Sequence, residues 1–493
     1  MEIPKEIRNI TQKMKEAGFD AYLVGGCVRD LILTRSVRDW DLTTNALPED
    51  IQKIFPDSFY ENKFGTVSVK TGSEIEALKI VEITPYRVES QYQDKRHPDE
   101  IKFSKTLEED LKRRDFTVNA LALSVAEEMT PGLIDLFNGQ KDLKEKIIRT
   151  VGSPEERFGE DALRLLRAVR FAAELDFTIE ENTKKAIKKL AASLEFISKE
   201  RIRDEFEKII LASKAAWGVE LLADLDLLKY VAQELTEGIG VIGVTKKKKG
   251  HIKYEELSVF EHNLKTLDYA AQQNFNLETR LASLLHDLGK PRTKKGEGLG
   301  ASFMAHEQVG ARMAIQVLER LHFPKKVIEK TVALVRWHFF FYNVDEVTEA
   351  GVRRLIRRVG PENIQDLLSL READRSGSGL PKISSYRLKH LRYMIERVSR
   401  DAIQPKMLKI NGNDLMKILE ISAGPKIGWV LNALLEEVLD NPKQNEKKYL
   451  VSQAKKLGKL SDSELKKLSQ EAIDKKEELE EKIDESMKRK YNV

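Results

Sequence analysis

The spacing of apolar residues changes once along this chain, and that change limits the folds open to it. Up to about Ser124 short β-rich runs alternate with helical ones, and Ala21–Val24, Trp40–Thr43, Gly65–Val69 and Leu78–Thr84 each read as strands. From Asp142 onward apolar residues recur at helical spacing, as in Leu163, Leu166, Val169 and Ala173, and strand signals largely disappear. The expected fold class is therefore α+β: a small mixed-sheet head followed by helices. A chain of 493 residues exceeds what one hydrophobic core organises, so about two to four domains are expected. The expected boundaries are a head over 1–141, a helical neck over 142–212, a helical body over 213–400, a tail over 401–460 and a charged helical extension over 461–493.

Two stretches interrupt the helical period. Gly238–Gly250, which contains Lys246-Lys247-Lys248-Lys249, and Lys294–Gly300, with three glycines in five residues, both read as loops. Residues beyond Ser461 are almost wholly Lys, Glu, Asp, Ser and Leu and read as a solvated helix. The only cysteine, Cys27, has no partner in the chain, which excludes an internal disulfide and a multi-cysteine zinc site and points to a reducing compartment. No stretch is apolar for long enough to span a bilayer and the N-terminal residues lack a signal-peptide pattern, so the expected location is cytoplasmic. The net charge of +4 is small, and clusters of Lys and Arg matter more than the total for binding a nucleic-acid backbone.

The chemistry concentrates in Gly25-Gly26-Cys27-Val28-Arg29-Asp30, directly after a strand, and in Asp39-Trp40-Asp41 at the start of the next. Residues i and i+2 of a strand share a face, so Asp39 and Asp41 can hold the same divalent ions, while Gly25 and Gly26 let backbone N–H groups approach a triphosphate. Arg29 adds a charge-assisted contact to phosphate. Cations held in this way activate an attacking hydroxyl and neutralise a leaving pyrophosphate, which is nucleotidyl transfer.

This segment resembles the signature of class II tRNA nucleotidyltransferases and bacterial poly(A) polymerases, within the DNA polymerase β superfamily, and the similarity extends over nearly the whole chain. The resemblance implies Mg2+ at Asp39 and Asp41, with Glu82 as a third catalytic carboxylate placed by strand alternation. Lys112–Ala120 is similar to the family's second motif, which implies that Arg114 contacts the nucleotide while Asp115 and Asn119 order its ribose side. Farther on, Asp161, Arg164, Arg167 and Arg170 advance by three residues along a helix. An Asp acceptor beside an Arg donor matches the amine and ring acceptor that cytosine and adenine both present, so Asp161 and Arg164 can admit CTP and ATP and exclude the other nucleotides. In the resembling family Glu160 would orient Arg164, and Arg167 and Arg170 would face the phosphates. Members that add only cytidines typically lack the polar loop that here runs from Tyr86 to Pro98, so its presence implies that A can be added.

A second set of candidate ligands lies in the body. His262, the pair His286-Asp287 and Asp374, with His306 and His338 between, follow the order of the HD phosphohydrolase superfamily, which implies a divalent-metal phosphodiesterase or phosphatase site. Ile197–Phe206 places basic side chains on a helix that suits an RNA end. Ala423–Leu431, followed by Leu434-Leu435, is similar to the tail segment that helps hold the outer part of tRNA in the family. The expected function is template-independent addition of CCA to the tRNA 3′ end from CTP and ATP. The alternatives are an A-adding enzyme, a poly(A) polymerase, and an HD phosphohydrolase carrying an RNA-binding head.

Overall fold

A computed structural model describes residues 3–61, 65–89, 101–125, 132–247, 254–297, 301–340, 342–344, 346–378, 386–399, 408–491 and 493. The chain forms two compact units, Met1–Phe339 with Ser369–Leu380, and Phe340–Leu368 with Pro381–Val493.

In the first unit the head is built on strands β1 (Ala21–Val24), β2 (Asp41–Thr44), β3 (Ser58–Glu61), β4 (Thr66–Lys70), β5 (Ile80–Pro85), β8 (Leu121–Ser124) and β9 (Gly132–Asp135), which form one sheet in the order β3-β4-β5-β2-β1-β8-β9. Strands β6 (Arg87–Glu89) and β7 (Ile101–Phe103) pair separately. Only β2 and β5 run parallel; the other pairs of the large sheet are antiparallel. The strands legible in the sequence are β1, β2, β4 and β5. Leu121-Ala122-Leu123 in β8 is buried on both faces, so its run has no period of two to announce it. Most of the Tyr86–Pro98 loop, residues 90–98, lies outside the described residues.

Helices follow the head, as the change of period predicts. Two details differ. Ile242–Lys247 and Tyr254–Ser258 form an antiparallel hairpin, so the Gly238–Gly250 stretch is not simply a loop; Val244, Lys246 and Lys247 pair with Leu257, Glu255 and Tyr254. The run of lysines conceals this strand in the sequence. Lys294–Lys295 likewise pairs with Ser302–Phe303, and residues 248–253 and 298–300 lie outside the described residues. The second departure is at Asp161. The helix Pro154–Glu160 stops before it, Asp161 is extended, and a new helix begins at Leu163. The Asp161 carboxylate accepts the backbone N–H of Leu163 at 3.0 Å, satisfying a donor that a helix start leaves unpaired.

In the second unit Leu415, Val430, Leu434, Leu450 and Ala454 form a core that also takes in Leu465 from the long helix Asp462–Tyr491. The extension is helical as expected, but it is not merely solvated: Leu465, Ser469, Ala472 and Met487 are buried, and Asn432 donates to Ser469 at 3.0 Å. The substitution Leu465→Ala is expected to cost about 2–4 kcal/mol, read as a lower urea midpoint for this unit; a change under about 0.5 kcal/mol would mean that the extension adds nothing to the core. Among the described residues no helix is long and apolar enough to cross a membrane.

Candidate functional site

The head places its carboxylates by strand register. Asp41 opens β2 and lies directly opposite Glu82 on the parallel β5, so their side chains leave the same face of the sheet. Asp39 precedes β2 and is exposed, two residues from Asp41 and one pleat repeat away. Burial raises the pKa of the Asp41 carboxyl and Asp39 adds to that rise, while Arg114 opposes it. Cys27 is buried beneath, its Sγ 3.3 Å from the Val24 carbonyl and 3.6 Å from that of Asp41, and burial pushes its thiol up to about 12.

Gly25 caps the short helix Gly26–Ile32 with φ +78°, a conformation that favours glycine, and a Cβ there would lie 2.9 Å from Nη1 of Arg114. Arg114 thus lies against the glycine turn. Its Nη2 donates to Asp110 at 3.2 Å, and Asp110, fully buried, also binds Arg113 at 2.6 Å. Burial alone would raise the Asp110 carboxyl, but Arg113 and Arg114 outweigh it and hold it below the usual range. Asp110 is a site residue that sequence reading missed; the signal was its spacing of three and four residues from two arginines.

Behind the turn lies a continuous polar network. Asn119 Oδ1 accepts from Arg29 at 2.8 Å, Asn119 Nδ2 donates to Asp115 at 3.2 Å, and Asp115 accepts from Arg167 at 2.7 Å. Arg29 is buried and also bound to Asp30 at 2.9 Å. Arg170 stands 3.2 Å from Glu205, its guanidinium 4.1 Å from the Phe171 ring centroid. Burial would raise the Asp115 carboxyl, yet Arg167 and Arg164 bring it down to about 2. A carboxyl whose folded pKa is depressed contributes stability above its unfolded pKa and loses it as pH falls through the folded value. Asp115→Asn is therefore expected to be less stable than the parent at pH 6, with the difference shrinking between pH 4 and pH 2; a difference independent of pH in urea titrations would refute the ionic role.

In front of this network is a cavity of about 230 Å³ lined by Arg113, Arg114, Asp115, Asp161, Leu163, Arg164, Arg167 and Arg201. Five guanidinium groups face two carboxylates there, a balance suited to a polyanion. Arg164 is held by Glu160 and by the carbonyl oxygens of Arg157 at 3.0 Å and Arg113 at 3.2 Å. Asp161 is held by Arg201 at 2.7 Å. Arg201 is a second residue that sequence reading did not assign to this cavity: it comes from the helix read as an RNA grip and borders the same cavity as Asp161. Of the predicted nucleotide residues, Arg114, Asp115, Asp161, Arg164 and Arg167 line the cavity, whereas Arg29, Asn119 and Arg170 stand in the packed layer that positions them.

The body brings its predicted ligands together as well. His262 follows a Ser258–Glu261 capping box, His286 and His338 cap the ends of the helices Leu277–Leu285 and Lys325–Trp337, and His306 starts the helix His306–Arg320. Ligand atoms of His262, His286 and Asp374 lie within 4.8 Å of one another, as do those of Asp287, His306 and His338. Backbones meet closely here: a Cβ on Gly289 would stand 2.2 Å from the His306 carbonyl oxygen, so only glycine lets the Asp287 turn dock on the His306 helix. Burial lowers the pKa of His306, against the pull of Asp287, favouring the neutral ring that binds metals.

Family models match along the chain: "Poly A polymerase head domain" over residues 21–149, "Probable RNA and SrmB- binding site of polymerase A" over 176–239, and tRNA nucleotidyltransferase domain 2 over 301–454. The chain is similar to the CCA-adding enzyme of Ligilactobacillus salivarius (strain UCC118), with 33% identity over 470 residues, covering 92% of this chain and 98% of that protein. The similarity to the CCA-adding enzyme of Lactobacillus helveticus (strain DPC 4571) is 48% over 223 residues, 45% of this chain, and spans about half of that relative's length, 54%. Among solved structures, the Bacillus stearothermophilus CCA-adding enzyme in complex with CTP aligns with a TM-score of 0.60 and 30% identity, covering 92% of this chain and 98% of that one.

Proposed function

The chain belongs to the CCA-adding enzyme family, and from that membership we propose that it extends the 3′ end of tRNA by C, C and A without a nucleic-acid template, using CTP and ATP and releasing pyrophosphate. The observation that carries this reading is the arginine-lined cavity in which Asp161 and Arg164 are each fixed by a partner, Arg201 and Glu160.

The family's reaction requires a divalent cation, and we assign Mg2+ to Asp39 and Asp41 with Glu82 as the third carboxylate. The donor set fits: hard carboxylate oxygens, two of them on register-paired strands, suit a hard cation. When bound, such a cation would favour the alkoxide form of the tRNA 3′-hydroxyl and offset the charge leaving with pyrophosphate. The chain's own residues do the rest by positioning. Gly25 and Gly26 admit the triphosphate to the backbone, Arg114 and Arg167 meet its charge, and Asp115 and Asn119 hold the arginines and the ribose side in place. Asp161 accepts from the exocyclic amine of cytosine or adenine, and Arg164 donates to the neighbouring ring acceptor. Arg29 and Arg170 contribute by fixing Asn119 and the Phe171 layer.

The same reading divides the chain into head (1–141), neck (142–212), body (213–400), tRNA-holding tail (401–460) and extension (461–493), and places its work in the cytoplasm, where tRNA is matured and a lone thiol stays reduced. The clustering of His262, His286 and Asp374 supports a second, metal-dependent phosphohydrolase activity in the body. The test of the main reading is incorporation of labelled CTP and ATP, separately and together, into tRNA ending at the discriminator base or after CC. Growth by CCA and no further is the expected result. Addition of A alone to the CC-ending tRNA would mark an A-adding enzyme, long A tracts a poly(A) polymerase, and no incorporation would overturn the assignment.

A further inference from the structure

The helix Leu107–Lys112 carries three acidic residues, Glu108, Glu109 and Asp110, and of these only Asp110 is buried. A carboxylate with no accessible surface is costly unless donors meet its oxygens. Here the two oxygens are divided. Oδ1 accepts from Nε and Nη2 of Arg113 at 2.9 and 2.6 Å, and Oδ2 accepts from Nη2 of Arg114 at 3.2 Å. The Thr43 hydroxyl stands 3.3 Å from the same Oδ2 and 3.2 Å from the Thr84 carbonyl oxygen, so its single proton can serve either. Thr43 follows Asp41 by two residues on β2, and the two share a face of the sheet. Asp110 therefore touches both the strand that carries Asp41 and the arginine that lies against the glycine turn.

Arg114 keeps donors to spare. Its Nη2 meets Asp110, its Nη1 lies at the turn, 2.9 Å from where a Cβ on Gly25 would stand, and its Nε is buried with no hydrogen-bond partner among the described residues. A buried donor left unpaired costs free energy, and a phosphate oxygen reaching the guanidinium would offset that cost. Asp41 also attracts this arginine, which acts to lower the Asp41 carboxyl. A guanidinium on a flexible stem between two acids takes the position that the better-placed acid dictates. With Asp110 charged and fixed, that position is the turn. With a neutral group in its place, Arg114 can swing towards Asp41 and away from a triphosphate.

We propose that Asp110 is a positioning residue of the head: its buried carboxylate holds Arg114 at the glycine turn, where the guanidinium receives the triphosphate of the incoming nucleotide, and fixes Arg113 beside it. The proposal rests on the nucleotide-transfer reading given above and adds to it a residue that touches no substrate. Asp110 has no accessible surface, so it acts only through the arginines. Because Arg114 meets the phosphates and not the base, loss of Asp110 falls alike on CTP, ATP and UTP. That separates its role from those of Asp161 and Arg164.

Calorimetric titration of the full chain with CTP and with inorganic triphosphate, in the presence of Mg2+, tests this without a transfer step. Asp110→Asn keeps the side-chain shape and removes the charge; it is expected to weaken binding of both by about 10-fold or more, the scale of a hydrogen bond to a charged group. In an Arg114→Met background the same substitution is expected to change neither, because the group it positions is gone. A loss that persists undiminished in that background, or no loss in the parent, would overturn the role. The preference for CTP over UTP in incorporation is expected to stay at the parental value in Asp110→Asn, and a narrowed preference would place Asp110 with the base-reading groups instead. If Asp110→Asn does not fold, Thr43→Val decides: removing the hydroxyl beside Oδ2 is expected to weaken triphosphate binding by about 2- to 10-fold in the parent and not in Arg114→Met, and an unchanged affinity in the parent would overturn the proposal. A parent that binds triphosphate through Asp110 and Arg114 yet incorporates neither CTP nor ATP into tRNA would sink the transfer reading alone, so the two failures give different results.

Discussion

Asp41→Asn is expected to reduce nucleotide incorporation by at least about 10³-fold while leaving the chain folded. The loss follows from removing one of the carboxylates that share a cation, an interaction worth several kcal/mol at the transition state, and about 4 kcal/mol corresponds to three orders of magnitude. The sign of the stability change is opposite. Burial, reinforced by Asp39, raises the Asp41 carboxyl in the folded chain, so in metal-free buffer above the unfolded pKa its charge works against folding. The neutral isostere should therefore match or exceed the parent in chelator-treated thermal melts, and the parent should regain more stability than the variant when Mg2+ is added. A variant that is both inactive and unfolded would leave Asp41 a structural role; one that keeps a tenth of parental activity would remove it from the reaction. Asp39→Asn should also reduce incorporation, with little effect on stability, because Asp39 is exposed.

How much of this was legible in the residues depends on whether the information was local. Asp39 and Asp41 are two apart on one strand, and the glycine turn is contiguous, so spacing alone conveys their shared face. The pairing of Asp41 with Glu82 requires a parallel register between strands some forty residues apart, and alternation along Val81-Glu82-Ile83 gives only the face, not the neighbour. The six body ligands announced themselves by residue type, but their division into two groups follows from which ligand atoms lie within 4.8 Å of one another, and no spacing along the chain encodes that. Arg29 and Arg170 show the converse limit. An arginine in a motif reads as a phosphate contact, yet both are buried against Phe171 and spend their hydrogen bonds or charge on Asn119, Asp30 and Glu205. The break at Asp161 was hidden because its flanks continue the helical period; what marks it is the Asp161 carboxylate accepting the Leu163 N–H, visible only once Leu163 is known to start the next helix.

That break also defines the sharpest test of nucleotide choice. Because Asp161 is extended and tied to Arg201, while Arg164 sits in the first turn of the next helix and is tied to Glu160, the acceptor and the donor are set by separate partners and can be removed independently. Arg164→Ala is expected to lower kcat/KM for both CTP and ATP by roughly 30- to 150-fold, the loss of about 2–3 kcal/mol that a hydrogen bond to a charged group supplies. It should also narrow the preference for CTP over UTP, since a site built to bond one pairing edge rejects an analogue mainly through the groups it leaves unpaired. Glu160→Gln keeps the side-chain volume and removes the charge that orients Arg164; it should shift the same preference in the same direction by a smaller factor, without touching the base. An equal fall for CTP, ATP and UTP, with the ratios intact, would instead make Arg164 a phosphate contact, and the choice of nucleotide would then have to come from Asp161 and Arg201 alone.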